Sequence, residues 1–170
     1  MAPIADELPA ETLRAIRANL RPIRTVFLIQ GWLRRLELGQ PVHPLPLEAV
    51  GDELWDAFAE ADAIVLSTED LAETPDDPFA QAAALRARLG PRPVVVLTLG
   101  VQGYLLDDPG ETDVVAVMPR RVIEGVPTVG AGDTFGVAFA IHLARGEGPD
   151  AAARAATDRV IAVFEARRTT

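Results

Sequence analysis

The residues best suited to chemistry form a short turn, Gly130-Ala131-Gly132-Asp133, that leads into an apolar helical pattern. Two glycines in four residues let the backbone turn sharply and approach a ligand closely. The first amides of a helix have no partner within it and carry partial positive charge, so such a turn suits an anion. A carboxylate in this turn would repel a phosphate. Its presence is explained if the carboxylate has to accept a proton next to the phosphate. We expect Asp133 to accept a hydroxyl proton while the amides of Gly130, Ala131 and Gly132 stabilise a transferring phosphoryl group.

Asp133 also has a simpler interpretation, in which it caps the helix and the glycines only form a loop. For an isolated Gly-x-Gly-Asp pattern we favour this interpretation, so the chemical one needs further support. The candidate support lies at the ends of two apolar runs. Val94–Leu97 leads into a Thr-x-Gly-x-x-Gly turn made of Thr98, Gly100 and Gly103, and Ile64–Leu66 leads into the acidic Ser67–Asp70.

Composition excludes several other kinds of site. The 170 residues include no Cys, and all 16 basic residues are Arg, so thiol chemistry, lysine Schiff bases and a Walker A loop are excluded. His43 and His142 are the two histidines, too few for a multi-histidine metal site, and we expect both to be structural or surface residues. The net charge of −9 argues against nucleic acid or an anionic membrane as a partner. Without an apolar run long enough to span a bilayer, we expect a cytoplasmic protein.

Hydrophobic periodicity predicts strands alternating with helices along one domain, residues 1–170. The chain is long enough to bury a core of its own. Strands are expected at Thr25–Ile29, Ala63–Leu66, Pro93–Leu97, Gly103–Leu106 and Val114–Met118, and helices at Glu11–Leu20, Leu47–Glu60, Pro78–Leu89, Asp133–Arg145 and Asp150–Arg167.

This order predicts an α/β fold whose parallel sheet is covered by helices on both faces. The last two strands, joined by the turn-rich Asp107–Gly110, form a β-hairpin, and two helices close the chain. Ligands bind at the carboxyl ends of the strands in such sheets, which is where the turns described above lie.

The segment Thr128–Phe135 is similar to the C-terminal signature of the ribokinase-like PfkB carbohydrate kinases. The resemblance implies an αβα layered ribokinase-like fold, incomplete in this chain, with Asp133 as the catalytic base and the preceding amides as an anion hole. Thr98–Gly103 resembles the nucleotide-binding turn of that family, which implies that Thr98, Gly100 and Gly103 line an ATP site. Thr157 matches the place where the family's last helix passes the adenine.

Two further segments resemble the family with departures from its pattern. Ser67–Asp70 occupies the place of an Asn-x-x-Glu motif that orders Mg²⁺-bound water, so Asp70 or Glu69 would organise Mg²⁺. The alternative is that Ser67 caps a short helical turn that acidic residues favour. Arg34 is the residue retained from an Asp-x-Asn-x-Arg segment and would reach phosphate or substrate oxygens; a surface role for Arg34 is the alternative.

The resemblance corresponds to the C-terminal part of the family's domain. It implies an ATP- and Mg²⁺-dependent kinase acting on a hydroxyl of a sugar, polyol or nucleoside. The acceptor-binding half and its lid have no counterpart in this sequence, which contains no Gly-Gly pair. A catalytically silent nucleotide-binding or assembly module left by truncation is the alternative. A complementary N-terminal half, or a homodimer formed through an exposed sheet edge, is the partner we expect.

Overall fold

The structure, a computed structural model, describes residues 1–2, 8–20, 22–35, 37–39, 41–71 and 77–168. Helices and strands alternate through most of this part of the chain, as the hydrophobic periodicity predicts. The elements are α1 (Ala10–Leu20), β1 (Val26–Leu28), β2 (Arg34–Arg35), β3 (His43–Pro44), α2 (Asp52–Ala59), β4 (Ala63–Ser67), α3 (Pro78–Leu89), β5 (Val94–Thr98), β6 (Tyr104–Asp107), β7 (Val115–Val117), α4 (Ala131–Ala144) and α5 (Pro149–Arg168).

The main sheet has five strands in the order β1-β4-β5-β6-β7. Strands β1, β4 and β5 run parallel, so their carboxyl ends meet at one edge of the sheet. Strands β6 and β7 are antiparallel and form the predicted hairpin. The short strands β2 and β3 pair with each other in a separate ribbon.

Helices cover the sheet on both faces, which confirms the predicted αβα layering. Side chains alternate between the two faces along each strand. Phe27, Ile64 and Val95 belong to the core beneath α1, α2 and α3. Their neighbours Leu28 and Val65 belong to the second core, beneath α4 and α5. Because β1 and β4 are covered on both faces of the sheet, their sequences are continuous apolar runs.

Two helices begin two or more residues away from their predicted starts. The helix expected from Leu47 is a 3₁₀ turn (Leu47–Ala49) followed by α2, because Val50 and Gly51 have extended backbones that interrupt it. Helix α4 begins at Ala131 and not at Asp133. Asp133 is therefore the third residue of the helix, within its first turn.

Helix α4 packs unusually close to β1. A Cβ atom added at Gly136 would lie 2.6 Å from the δ carbons of Leu28, so the absence of a side chain at Gly136 permits this approach. The phenyl rings of Phe135 and Phe139, stacked 6.0 Å apart, fill the space on the sheet side of the helix. The close contact places the first turn of α4 beside the carboxyl end of β1.

Tyr104 is the sole tyrosine of the chain, and its hydroxyl is buried without a hydrogen-bond partner among the described residues. Burial raises the pKa of Tyr104 to about 12; Arg154 opposes the shift, while Asp150 and Asp158 add to it.

No helix in the described part of the chain has the length and apolar character needed to cross a membrane.

We expect the tyrosinate absorbance of the folded protein to titrate near pH 12, whereas an unfolded tyrosine titrates near pH 10. Below about pH 10 the phenol is neutral in both states, so it adds no pH dependence. Between the two pKa values only the unfolded state loses the proton, and stability should fall with pH. Tyr104→Phe should remove this alkaline component in urea unfolding. A Tyr104 titration midpoint near pH 10 in the folded protein would contradict the prediction.

Candidate active site

The Gly130–Asp133 turn has the backbone of a helix start preceded by a left-handed residue. Gly130 is the N-cap of α4, with φ +81° and ψ 6°, a conformation that glycine adopts with little strain. Its carbonyl accepts the first hydrogen bond of the helix from the Thr134 N–H, at 2.9 Å. The left-handed glycine connects Val129 to the helical residues that begin at Ala131.

Three amides of the turn are free to bind an anion. Among the described residues, the N–H groups of Gly130, Gly132 and Asp133 have no backbone acceptor. The Ala131 N–H differs, because it donates to the Thr128 carbonyl at 3.0 Å. In the predicted anion hole of Gly130, Ala131 and Gly132, the Gly130 and Gly132 amides are therefore available as donors and the Ala131 amide is not. The Asp133 amide is a third available donor.

Asp133 is exposed and borders a cavity of about 430 Å³. The polar side chains of its lining are Asp133 and Gln30, which follows β1. Gln30 also meets the turn itself, since its Oε1 lies 4.0 Å from the position of a Cβ on Gly132. The remaining lining is largely apolar and comes from the amino terminus, β1 and the first turns of α4: Met1, Ala2, Val26, Leu28, Gly136, Val137 and Ala140.

Gln30 is a functional candidate that the sequence interpretation passed over. It occupies the first position of the segment that resembles Asp-x-Asn-x-Arg, where this chain has Gln in place of Asp. The signal that could have identified it is its place directly after a buried parallel strand, because such strand ends form ligand sites.

Arg34, Asp70 and Ser67 form one hydrogen-bonded network. The Nε and Nη2 atoms of Arg34 both donate to Oδ1 of Asp70, with 3.1 Å for the Nε contact. Oδ2 of Asp70 accepts from the Ser67 N–H at 2.9 Å, while the Ser67 hydroxyl accepts from the Glu69 N–H at 3.3 Å. This is a capping box over the 3₁₀ turn Thr68–Asp70, so Ser67 has the capping role that was one of its two interpretations.

The network bears on the predicted roles of Asp70, Glu69 and Arg34. Both carboxylate oxygens of Asp70 are used within the protein and its side chain is 0% exposed, so it does not fit a ligand of Mg²⁺ or of its waters. Glu69 is exposed beside it, and the described residues include no cluster of three His, Asp or Glu that could hold a metal. Arg34 is held by Asp70, and its side chain remains 37% exposed.

Asp70→Ala is expected to destabilise the fold by about 2 kcal/mol in urea unfolding. Breaking a buried ion pair costs about 3–5 kcal/mol, but the half-exposed Arg34 can regain water and recover part of that. The matched control is Glu60→Ala, which breaks the exposed Arg17–Glu60 pair and should cost less than about 1 kcal/mol. Equal effects of the two substitutions would contradict a structural role for Asp70.

The predicted nucleotide residues lie at the end of β5, in the turn that follows it, and on α5. Thr98 is the last residue of β5, and its hydroxyl donates to the Leu66 carbonyl at 3.3 Å. Gly100 has φ +58° with open space around it, whereas Gly103 has φ +104° and packs against the backbone of Val117. Thr157 donates its hydroxyl to the Ala153 carbonyl of the same helix at 3.0 Å. The structure thus brings Thr98 and Ser67 together across neighbouring strand ends, with 3.4 Å between the Ser67 hydroxyl and the Thr98 carbonyl.

Strand β1 lies at the edge of the main sheet, although its three residues are buried like those of a central strand. The outward-facing groups of β1 are taken by Met1, whose ammonium donates to the Val26 carbonyl at 2.7 Å and whose carbonyl accepts from the Leu28 N–H at 2.9 Å. This is the hydrogen-bond pattern of a parallel strand. Burial lowers the pKa of the Met1 ammonium.

Comparison with known proteins relates this chain to a family of kinases. The family model described as pfkB family carbohydrate kinase matches residues 37–159. Comparison of the sequence with curated proteins gives no significant match.

Three solved structures illustrate the shared fold. Ribokinase from Thermotoga maritima is 22% identical with a TM-score of 0.62, and the alignment covers 92% of this chain and 47% of that one. Ribokinase from Arabidopsis thaliana, solved with ribose and ATP, is 24% identical with a TM-score of 0.64, covering 92% and 45%. A pyrophosphate-dependent kinase of the ribokinase family, solved with a pyrophosphate analog and myo-inositol, is 16% identical with a TM-score of 0.72, covering 95% and 55%. This chain spans about half the length of these relatives.

Proposed function

The chain belongs to the PfkB family of carbohydrate kinases, and we propose that it carries the phosphoryl-transfer half of such a kinase. The reaction moves the γ-phosphoryl group of ATP to a hydroxyl of a sugar, polyol or nucleoside and releases ADP. The observation that carries the proposal is the position of Asp133. An exposed carboxylate stands at the border of a cavity, in the same helical turn as the free amides of Gly130 and Gly132.

Asp133 is the proposed general base. An acceptor hydroxyl in the cavity would donate a hydrogen bond to the carboxylate, which takes the proton as the oxygen attacks phosphorus. The amides of Gly130, Gly132 and Asp133 would stabilise the negative charge that spreads over the phosphoryl oxygens. Because these donors belong to a fixed helix start, they need little reorganisation as that charge develops.

The donor nucleotide is proposed to lie along the strand ends. Thr98, the last residue of β5, and Gly100, which follows it, would line the nucleotide site, and Thr157 on α5 would lie beside the adenine. Mg²⁺, when bound with ATP, would neutralise phosphate charge. We assign it no protein ligand, because Asp70 is fully engaged by Arg34 and Ser67. The accessible part of Arg34 is proposed to contact phosphate or substrate oxygens.

The acceptor class follows from the relatives only in broad terms. The Arabidopsis ribokinase was solved with ribose, the pyrophosphate-dependent kinase with myo-inositol, and an adenosine kinase from Schistosoma mansoni with 2-fluoroadenosine. These are a sugar, a polyol and a nucleoside. Each offers a hydroxyl to a general base, which is what Asp133 supplies.

A complementary N-terminal half is the proposed partner, because this chain matches about half of each relative. It would pair with the outer edge of β1, whose buried apolar residues resemble those of a central strand. Met1 now occupies that edge through two hydrogen bonds and would have to leave it. A homodimer formed through the same edge is the other arrangement, and size-exclusion chromatography over a range of concentrations distinguishes it from a monomer.

A catalytically silent nucleotide-binding or assembly module is the second candidate function. The observation that favours it is the ion pair between Arg34 and Asp70. This pair engages the Asp70 carboxylate, which lies at the position where the motif that the segment resembles would organise Mg²⁺. In this case the anion turn would still bind phosphates, but no acceptor would be phosphorylated.

One experiment separates the two functions. ATP binding is measured by calorimetry, and ATP-dependent product formation is followed with a panel of sugars, polyols and nucleosides. Binding with turnover of a panel member supports the kinase. Binding without turnover supports the silent module, and absence of nucleotide binding would overturn both the kinase and the nucleotide-binding module.

A further inference from the structure

Arg167, near the end of α5, holds the backbone that precedes the anion turn. Its Nη1 donates to the Val129 carbonyl at 3.0 Å and to the Pro127 carbonyl at 3.3 Å. Its guanidinium also lies over the ring of Phe164, 5.6 Å from the ring centre. Stacking on an aromatic face restricts an otherwise mobile side chain, so the two hydrogen bonds come from a positioned donor.

The contact with Val129 determines the direction of one amide of the anion turn. The Val129 carbonyl and the Gly130 N–H belong to the same peptide group, which is planar and trans. The two groups therefore point in opposite directions. While Arg167 holds the carbonyl on its own side, the Gly130 N–H points away from α5, and it has no backbone acceptor among the described residues.

Arg167 also brings positive charge to the turn. Its Nη2 lies 3.8 Å from the position of a Cβ on Gly130. Asp133 places a negative charge in the first turn of the same helix, which opposes anion binding there. A fixed cation on the other side of Gly130 offsets part of that repulsion.

We propose that Arg167 is a positioning residue for the anion turn: it fixes the Val129–Gly130 peptide so that the Gly130 N–H is directed at a phosphate. The ligand class, the phosphate chain of a nucleotide, rests on the proposed function. The orientation of the peptide does not, and it can be measured without any ligand. Arg167 acts through Gly130 and takes no part in the chemistry.

The test compares Arg167→Met with Arg168→Met. The two arginines are neighbours at the same helix end, both exposed, and each substitution removes one positive charge from that end. Among the described residues, hydrogen bonds to the backbone before the turn come from Arg167 and none comes from Arg168. Arg167→Lys keeps the charge while losing the planar fork that stacks on Phe164.

The first readout is the NMR order parameter of the Gly130 amide without ligand. It should fall from about 0.85 to below about 0.6 in Arg167→Met and stay unchanged in Arg168→Met. The second readout is ATP affinity, which should drop about tenfold in Arg167→Met and less than twofold in Arg168→Met. Arg167→Lys should recover only part of either loss.

Two results would overturn the proposal: a Gly130 amide in Arg167→Met that is as ordered as in the parent protein, or equal effects of the two Met variants on that amide. If the parent protein fails to bind ATP, the proposed function fails, and the order parameter of Gly130 still decides the role of Arg167. A thermal unfolding midpoint shared by all three variants shows that the effect is confined to the turn.

Discussion

Asp133→Asn is expected to slow phosphoryl transfer by about 10²–10⁴-fold, the usual contribution of a positioned general base. The amide has nearly the same shape as the carboxylate, and it keeps its place in the first turn of α4. It cannot take the proton of an acceptor hydroxyl, so the attacking oxygen stays weakly nucleophilic. The measurement is the rate of product formation at saturating ATP with whichever acceptor the panel identifies, by the chain alone or with its complementary half.

The same substitution should strengthen ATP binding by several-fold, because it removes a negative charge next to the phosphates. This second measurement needs no turnover, so it also applies to a silent module. Asp113→Asn, in the exposed stretch between β6 and β7, makes the same change of charge away from the turn and should leave both quantities unchanged. Transfer at the parental rate in Asp133→Asn would remove Asp133 from the role of base.

Local sequence signals were sufficient to predict the layered fold. Apolar runs bounded by turn residues identified β4 and β5, and Gly90 and Pro91 marked the end of α3. These signals depend on a residue's near neighbours, and burial on both faces of the sheet agrees with them. The family match over residues 37–159 supports the same conclusion.

Side-chain pairing across the chain could not be predicted in the same way. Arg34 and Asp70 are 36 residues apart, and Arg167 and Val129 are 38 residues apart. A motif comparison treats Asp70 and Arg34 as separate ligands for metal and phosphate, whereas the fold brings them together. No periodic pattern distinguishes Arg167 from Arg168, because only the packed position of α5 decides which one reaches the turn.

Whether the Ala131 amide can bind a ligand also depends on structure that residue types do not specify. Sequence alone places three amides in the turn, but whether each is free depends on the backbone just before it. The left-handed Gly130 allows the Ala131 N–H to fold back onto Thr128. A pattern of residue types specifies that a turn forms there, and the dihedral angles decide which donors face a ligand.

Gly103→Ala is expected to destabilise the protein by at least about 3 kcal/mol, measured by urea unfolding. The residue has φ +104°, and a Cβ there would lie 1.9 Å from the Val117 carbonyl oxygen. Positive φ in a non-glycine residue costs about 1–3 kcal/mol, and the contact adds to this. Because the obstacle is the backbone of β7, no side-chain rotation relieves it, and β7 must move away from the start of β6.

The control is Gly100→Ala in the same turn. Gly100 has φ +58° with nothing within 4 Å of an added Cβ, so the substitution should cost only about 1 kcal/mol. The pair separates two explanations for glycines in the Thr98–Gly103 turn. If both are needed for a nucleotide to approach, both variants should lose ATP affinity while folded. If Gly103 serves the fold, Gly103→Ala should lose more stability than Gly100→Ala. A Gly103→Ala protein as stable as Gly100→Ala would show that the contact with Val117 does not constrain the turn.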